Sequence, residues 1–201
     1  MRSQPTQAQP AVPERGPNTA GPVLGIDPGL RRTGYAVLDG RGTGSPRVIE
    51  AGVIRLHASQ PIEQRLVELE AGLGEIITHC RPTTLACEEL YAHYRHPRTA
   101  ILMAHGRGVI LALAARRGLG ILHIGATHVK KHLTGSGRAG KAQIQRAVAA
   151  TLRLPAIPEP NDVADALAVA LCGLELRRAG LLQASGGLAP AGTSTPGGPT
   201  P

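Results

Sequence analysis

The spacing of apolar residues divides the middle of the chain into segments of two kinds. Five short apolar runs have the length of buried strands and are bounded by glycine, proline or polar residues. They span residues 23–27, 33–38, 47–56, 83–88 and 120–125. A stretch rich in glycine, serine and proline at 40–46 predicts a hairpin turn between the second run and the third.

Longer segments repeat apolar residues every three or four positions, which is typical of helices that pack one face against a core. These helices are predicted over residues 61–79, 97–117, 127–133, 141–152 and 161–178. Pro97 suits the first turn of its helix, and Asn161 is predicted to cap the last one. Adjacent strands followed by strands that alternate with helices predict the α/β class, with a mixed five-stranded sheet flanked by helices.

The two ends of the chain differ in composition from the middle. Residues 1–22 contain five prolines, and residues 180–201 are dominated by Gly, Ala, Ser, Thr and Pro. Neither end can bury enough apolar surface to offset the entropy lost on ordering. We therefore expect disordered tails on both sides of one domain at 23–179.

Two features bear on the cellular compartment. The N-terminus has no apolar segment of the kind found in signal peptides, and the most apolar run, 101–115, contains His105 and Arg107 and is not expected to span a membrane. The three cysteines are few and odd in number, so a disulfide framework is not expected. These features predict a cytoplasmic protein.

The formal net charge of +8 is unevenly distributed along the chain. From Leu90 to Pro158 there is no Asp or Glu, whereas the same segment holds eleven Lys or Arg residues and six histidines. Carboxylates stand on both sides of this segment, a pattern that indicates a polyanion held next to an acidic centre. A generally basic surface is the alternative, and we favour nucleic acid binding over it.

Four carboxylates occupy positions at which a charge is costly unless it has a partner. Asp27 and Glu88 each end a predicted apolar strand. Asp162 and Asp165 are three residues apart at the start of the last helix and therefore share one face. Glu89 points to the opposite face of its strand from Glu88, so only one of these two can join the cluster.

Each acid also has an ordinary interpretation, such as a turn residue at 27, a helix-dipole partner at 162 or a surface charge at 165. Together, however, they offer the oxygen ligands that a hard divalent cation prefers. Two such ions about 4 Å apart can act on both the attacking and the leaving oxygen of a phosphodiester. The sequence therefore predicts a metal-dependent nuclease that acts on DNA.

Several short motifs occur in the order in which one nuclease family has them. They are GIDPG at 25–29 with TGYAV at 33–37, ACEELY at 86–91, the basic stretch ATHVKKHLTGSGRAGKAQIQ at 126–145, and NDVADALAVA at 161–170. With these motifs, residues 23–178 resemble the RuvC family of bacterial Holliday junction resolvases. The resemblance implies an RNase H-like fold and a homodimer that makes paired symmetric nicks in four-way junction DNA, leaving 5′-phosphate and 3′-hydroxyl ends. It also implies partnership with the RuvA–RuvB branch-migration complex.

The resemblance also assigns roles to individual residues. The family's metal ligands correspond to Asp27, Glu88, Asp162 and Asp165, and four oxygen donors favour two Mg²⁺ or Mn²⁺ ions per active site. DNA contacts are implied for the basic stretch, at Lys130, Lys131, Arg138 and Lys141. Of these, Lys130 and Lys141 match family lysines near the scissile phosphate, and Lys141 is expected to act in catalysis. A solvated lysine is the alternative for each.

Tyr91 stands three residues after Glu88, where family members place an aromatic residue that is proposed to stack at the centre of the junction. Stacking on a base contributes roughly 1–3 kcal/mol. Packing of Tyr91 against the protein is the alternative, and we favour stacking.

Three other interpretations remain open at the level of sequence. Asp27, Gly29 and Thr33 also suit the opening of an actin-like or sugar-kinase ATPase, which needs a second copy of the fold and further phosphate loops. A non-catalytic junction-binding module would need no carboxylate cluster. RNase H-like nucleases that trim ribosomal RNA precursors are shorter and lack the basic stretch at 126–145.

Overall fold

The computed structural model describes residues 21–29, 31–42, 44–90 and 97–180. The strands in these ranges are β1 (Val23–Asp27), β2 (Arg32–Asp39), β3 (Arg47–Arg55), β4 (Thr84–Glu88) and β5 (Gly120–Ile124). The helices are α1 (Ile62–Cys80), α2 (Pro97–Arg116), α3 (Ala126–Thr134), α4 (Lys141–Leu152) and α5 (Asn161–Arg178). Each agrees with a segment predicted from the sequence to within one residue at either end.

The strands form one sheet in the order β3-β2-β1-β4-β5. The hairpin strands pair antiparallel, β1 with β2 and β2 with β3, whereas β1 with β4 and β4 with β5 pair parallel. The predicted mixed five-stranded sheet is therefore confirmed. Its strand order places β1 at the centre, between an antiparallel and a parallel neighbour.

Helices cover both faces of the sheet. Apolar side chains of α1 and α2 pack on one face, against residues such as Leu24, Ile26 and Leu85. On the other face, α3, α4 and α5 pack against residues such as Val23 and Ala86. Because side chains alternate along a strand, neighbouring residues of β1 and of β4 belong to different cores.

The N-terminal boundary of the domain differs from expectation. Gly21 and Pro22 were assigned to the N-terminal tail, yet both are buried. The Thr83 amide donates to the Pro22 carbonyl at 2.9 Å, and the buried Arg177 side chain donates to the Gly21 carbonyl. The rest of residues 1–22 and residues 181–201 lie outside the described ranges.

The predicted cap of the last helix was wrong. Pro160 occupies the N-cap position, and Asn161 is the first residue of α5. The Asn161 side chain instead accepts a hydrogen bond from Gln145 Nε2 of α4 at 2.7 Å. The amide oxygen therefore links two helices, so it does not satisfy a backbone N–H of its own helix.

The run 101–115, which is not expected to span a membrane, lies within a longer apolar helix. Within the described residues one helical stretch, Arg98–Arg116, is long enough and apolar enough to cross a membrane. Only 17% of its most apolar part is buried in the structure. Those two criteria alone are weak evidence for a membrane segment. The observation that matters below is that α2 leaves much of its apolar surface uncovered.

Candidate active site

The two strand-end carboxylates lie side by side because their strands run parallel. β1 ends at Asp27 and β4 ends at Glu88, and the last residue pair between these strands joins Ile26 to Cys87. Both carboxylates follow the alternation that turns Val23 and Ala86 towards α5, so both side chains emerge on the α5 face. The carboxyl ends of parallel strands are where α/β proteins usually bind ligands.

Helix α5 brings the other two carboxylates to the same edge through close backbone packing. A Cβ at Gly25 of β1 would lie 2.5 Å from the Ala166 carbonyl oxygen, and a Cβ at Gly34 of β2 would collide with the Asp162 carbonyl. Gly34 is the register partner of Asp27. Two glycines without side chains thus let the start of α5, with Asp162 and Asp165, rest directly against β1 and the neighbouring part of β2.

A cavity of about 330 Å³ opens at this edge of the sheet. Three carboxylates, Asp27, Glu88 and Asp165, line it together with two lysines, Lys130 and Lys141. Its remaining lining is small or apolar: Ala126, Val129, Ala139, Ile144, Ala168 and Val169. A larger open depression of about 730 Å³ lies between α1 and α2, but its charged side chains are of both signs and include none of the predicted site residues.

Asp27 lies at the electrostatic centre of the cluster. Burial, followed by repulsion from Asp165, Glu88 and Asp162, raises the pKa of Asp27 from 3.8 to about 7, although Lys141 opposes this shift. Each of the other three carboxylates therefore lies near enough to act on the charge of Asp27. A cluster of this kind binds protons or cations readily at neutral pH.

Glu88 shares part of this environment. Burial and the charge of Asp165 raise the pKa of the Glu88 carboxyl, and the charge of Lys130 acts in the opposite direction. Glu89, by contrast, is exposed. This agrees with the prediction that only one of the two neighbouring glutamates can face the cluster.

Two cations already contact the cluster from its rim. The Lys141 ammonium donates to Asp165 Oδ2 at 2.8 Å. The Arg32 guanidinium lies 3.4 Å from Asp162 Oδ2, but this buried oxygen accepts no hydrogen bond from any described residue. Arg32 was not identified from the sequence, since an exposed arginine on a strand carries no distinctive pattern.

The structure separates the predicted DNA-contact residues into three groups. Lys130 and Lys141 line the cavity. Lys131 on α3 and Arg138 in the loop after it are exposed and are not part of the cavity lining. Tyr91 lies outside the described residues.

The donor set fits a hard divalent cation. All four side chains are carboxylates, two of which have raised pKa values, and one buried oxygen of Asp162 lacks a hydrogen bond. Among the described residues, no group of three or more acidic, histidine or cysteine side chains has the geometry of a metal site. Lys141 contacts Asp165 and Arg32 lies near Asp162, so a metal ion bound by these two carboxylates would have to compete with both cations.

Known proteins similar to this chain identify its family. Residues 23–173 match the family model described as "Crossover junction endodeoxyribonuclease RuvC". This chain belongs to the RuvC family. The family member from Rhodopirellula baltica is 50% identical over 159 residues, which are 78% of this chain and 88% of the relative.

Solved structures extend the comparison with RuvC to three dimensions. The Thermus thermophilus RuvC structure superimposes with a TM-score of 0.73 at 31% identity and covers 79% of this chain and 96% of that one. T. thermophilus RuvC in complex with Holliday junction substrate gives the same TM-score and the same coverage at 30% identity. The RNase H-like fold expected from the motifs is thus confirmed, and the family's members are named as nucleases.

Proposed function

We propose that this chain resolves four-way DNA junctions in recombination and repair by paired symmetric nicks that leave 5′-phosphate and 3′-hydroxyl ends. The observation that carries the proposal is the single cavity lined by the three carboxylates Asp27, Glu88 and Asp165 and by Lys130 and Lys141. A phosphodiester needs positive charge to be held and a carboxylate cluster to bind metal, and this cavity offers both. A solved relative binds a Holliday junction substrate, which supports the choice of DNA.

The metal ligands in this proposal are Asp27, Glu88, Asp162 and Asp165, and Mg²⁺ or Mn²⁺, two per site, is the proposed cofactor. Bound divalent cations would stabilise the negative charge that develops on the phosphate and activate the attacking water. The protein's own contribution is to hold four carboxylates within electrostatic reach of one another at a single sheet edge. The small and apolar side chains in the rest of the lining favour stronger electrostatic interactions there than in bulk water.

Lys141 would have two successive partners in this scheme, first Asp165 and then the phosphate. In the structure it neutralises Asp165. A cation on Asp165 would release the ammonium, which lies beside the cavity and can then bind a phosphate oxygen. Lys130 faces the same cavity and offsets the charge of Glu88.

Contacts beyond the cavity involve the exposed basic residues Lys131 and Arg138, which we propose bind phosphates of the junction arms. Stacking by Tyr91 at the junction centre is proposed from its place in the family motif. These residues would position the DNA, whereas the carboxylates would act on its backbone.

The proposed homodimer would be formed through α2. One face of this helix exposes Ile101, Ala104, Gly108, Ala112 and Ala115, spaced three or four residues apart. Ile101 is 58% exposed, and a side chain added at Gly108 would meet open space. A continuous apolar stripe of small residues permits close packing of a second helix. Two copies joined there would supply the two active sites that paired nicks need.

Two further parts of the proposal depend on the family alone. We propose that the chain acts with the RuvA–RuvB branch-migration complex and in the cytoplasm. The three buried, unpaired cysteines are consistent with a reducing compartment.

The function is tested by incubating the purified full chain with an end-labelled synthetic four-way junction in Mg²⁺, in Mn²⁺ and in EDTA. We expect symmetric nicks in either metal and binding without cleavage in EDTA. Parallel reactions contain the duplex arms of the junction, or ATP in place of DNA. Cleavage of the duplex alone would indicate a different nuclease, and ATP hydrolysis would indicate an ATPase.

Asp27→Asn is the matched variant, because the amide keeps the shape of the side chain and removes its charge. It should bind the junction as the parent does and should not nick it in either metal. Nicking by this variant at the parental rate would remove the proposed metal site. If the parent itself binds the junction but does not nick it, the chain is a non-catalytic junction-binding module.

A further inference from the structure

Arg107 of α2 links the ends of two parallel strands from the face opposite α5. Its Nε donates to the backbone carbonyl of Glu88 at 3.0 Å, and its Nη2 lies 2.6 Å from His123 Nδ1 on β5. An arginine cannot accept a hydrogen bond, so the histidine nitrogen is the acceptor and its proton lies on Nε2. One planar guanidinium thus spans β4 and β5 at the point where both approach the active site.

The sheet ends beside the Glu88 backbone, whose carbonyl also accepts a long hydrogen bond of 3.8 Å from the Cys87 thiol. Pairing of β4 with β1 stops at Cys87, one residue earlier. On the β5 side, Glu88 is the last paired residue, followed by the hydrogen bond from the Glu89 amide to the Ile124 carbonyl. Arg107 therefore supplies a hydrogen bond to the Glu88 carbonyl just where the sheet ends.

Arg107 is also separate from the cavity itself. It is absent from the residues that line the cavity, and the charges that act on the Glu88 carboxyl are those of Asp165 and Lys130. Its contact is with the peptide group of Glu88, so it bears on the position of the carboxylate more than on its charge. Its neighbour Gly106 is buried where α2 packs against Leu69 of α1.

We infer that Arg107 is a positioning residue that fixes the end of β4, and with it the Glu88 carboxylate, in the place required for metal binding. This inference rests on the proposed metal-dependent function. Groups that orient a metal ligand typically change metal affinity or activity by about 10- to 100-fold when they are removed. His123 helps by holding the guanidinium flat across the two strands.

Direct metal binding tests the inference without cleavage. Mn²⁺ is titrated into the full chain without DNA, and free Mn²⁺ is measured by electron paramagnetic resonance. Arg107→Met should weaken binding about 10-fold, whereas Arg107→Lys, which can still donate to one acceptor, should recover part of the loss. Arg98→Met is the matched control, since Arg98 is an exposed residue of the same helix and should leave Mn²⁺ binding unchanged.

Junction affinity in EDTA and thermal unfolding are measured on the same variants. We expect unchanged junction affinity and a fall in kcat that follows the loss of Mn²⁺ binding. Parental Mn²⁺ binding by both Arg107 variants would overturn the inference, as would a loss of junction affinity in EDTA, which would make Arg107 a DNA contact. If Arg107→Met does not fold, Arg107→Lys decides. Failure of the parent to bind Mn²⁺ would instead overturn the proposed function.

Discussion

Lys141 Nζ donates a hydrogen bond to Asp165 Oδ2 over 2.8 Å, so a lysine already neutralises one member of the carboxylate cluster. Lys141 is the first residue of α4, directly after Gly140, and Asp165 lies in the first turns of α5. The hydrogen bond to Asp165 raises the pKa of Lys141, which keeps the ammonium charged at neutral pH. A divalent cation that binds Asp165 must therefore compete with Lys141.

Two opposite effects are expected when Lys141 is replaced by methionine. Mn²⁺ should bind more tightly, because Asp165 loses its competing ammonium. Cleavage of the junction should nevertheless become about 100-fold slower, the usual effect of losing a positive group at the reacting centre. Mn²⁺ titration without DNA and single-turnover cleavage at saturating metal measure the two effects separately.

Arg146→Met provides the control for Lys141→Met, because Arg146 is an exposed cation on the same helix and lies outside the cavity. Its loss should leave both Mn²⁺ affinity and the single-turnover rate close to those of the parent. An unchanged cleavage rate for Lys141→Met would show that Lys141 is a solvated lysine.

Gly25 controls the distance between β1 and α5. A Cβ at this position would lie 2.5 Å from both the Ala166 carbonyl oxygen and the Ala170 amide nitrogen, and neither is the end of a flexible side chain. Gly25→Ala should therefore destabilise the fold by about 1–3 kcal/mol through overpacking. It should also separate Asp165 from Asp27 and weaken Mn²⁺ binding.

Thermal unfolding and Mn²⁺ titration of Gly25→Ala test this relationship, with Gly44→Ala as control. Gly44 lies in the β2–β3 turn and has open space around it, so its replacement should change neither quantity. If Gly25→Ala proves as stable as the parent, the close contact between strand and helix does not set the geometry of the site.

The sequence predicted the bounds of the elements well because glycine, proline and polar residues separate the short apolar runs from the longer helical segments. The apolar run before Asp27 and the helical spacing after Asn161 give nearly the same bounds as the structure. The strand order could not be derived in the same way, since it depends on which faces pack together. The structure shows that Gly25 permits the close contact between β1 and α5. The sequence alone does not show this, because glycine occurs within strands for several different reasons.

The carboxylates of the site were also predictable, whereas the groups that hold them were not. An acid at the end of an apolar strand, such as Asp27 or Glu88, is costly to bury without a partner. Its presence there therefore indicates a functional role. Arg32 and Arg107 carry no such signal, because exposed and half-exposed arginines are common. Only the fold shows that one reaches Asp162 and the other the Glu88 carbonyl.

The exposed stripe on α2 predicts the effect of a single charge on assembly. Ala112→Arg places a cation in the middle of the proposed helix–helix contact, and a buried unpaired charge there would strongly disfavour association. We expect the parent to sediment as a dimer and this variant as a monomer with unchanged thermal unfolding of the fold. Paired nicking should then give way to uncoordinated single nicks.

Ala150→Arg is the control for Ala112→Arg, because Ala150 is an exposed alanine on α4, away from the stripe. This variant should sediment as the parent does. A dimer that survives Ala112→Arg at micromolar concentration would exclude α2 as the contact.

The raised pKa of Asp27 predicts an unusual pH dependence of stability in the absence of metal. A carboxyl whose pKa is about 7 in the folded chain and 3.8 when fully solvated takes up a proton on folding at pH values between these two. The folded state then binds more protons than the unfolded state, so this group destabilises the fold increasingly as pH rises from about 4 to 7. In EDTA, Asp27→Asn should therefore unfold at a higher temperature than the parent at pH 8, and the difference should shrink towards pH 5.

Asp39 supplies the control of opposite sign. Hydrogen bonds from Arg41 lower the pKa of Asp39 to about 2, so its charge stabilises the fold above pH 4 and this contribution is lost as pH falls through 2. Asp39→Asn should consequently unfold at or below the parental temperature at pH 8. A lower unfolding temperature for Asp27→Asn at pH 8 in EDTA would contradict this account, in which burial and then the crowding of four carboxylates make the Asp27 charge unfavourable.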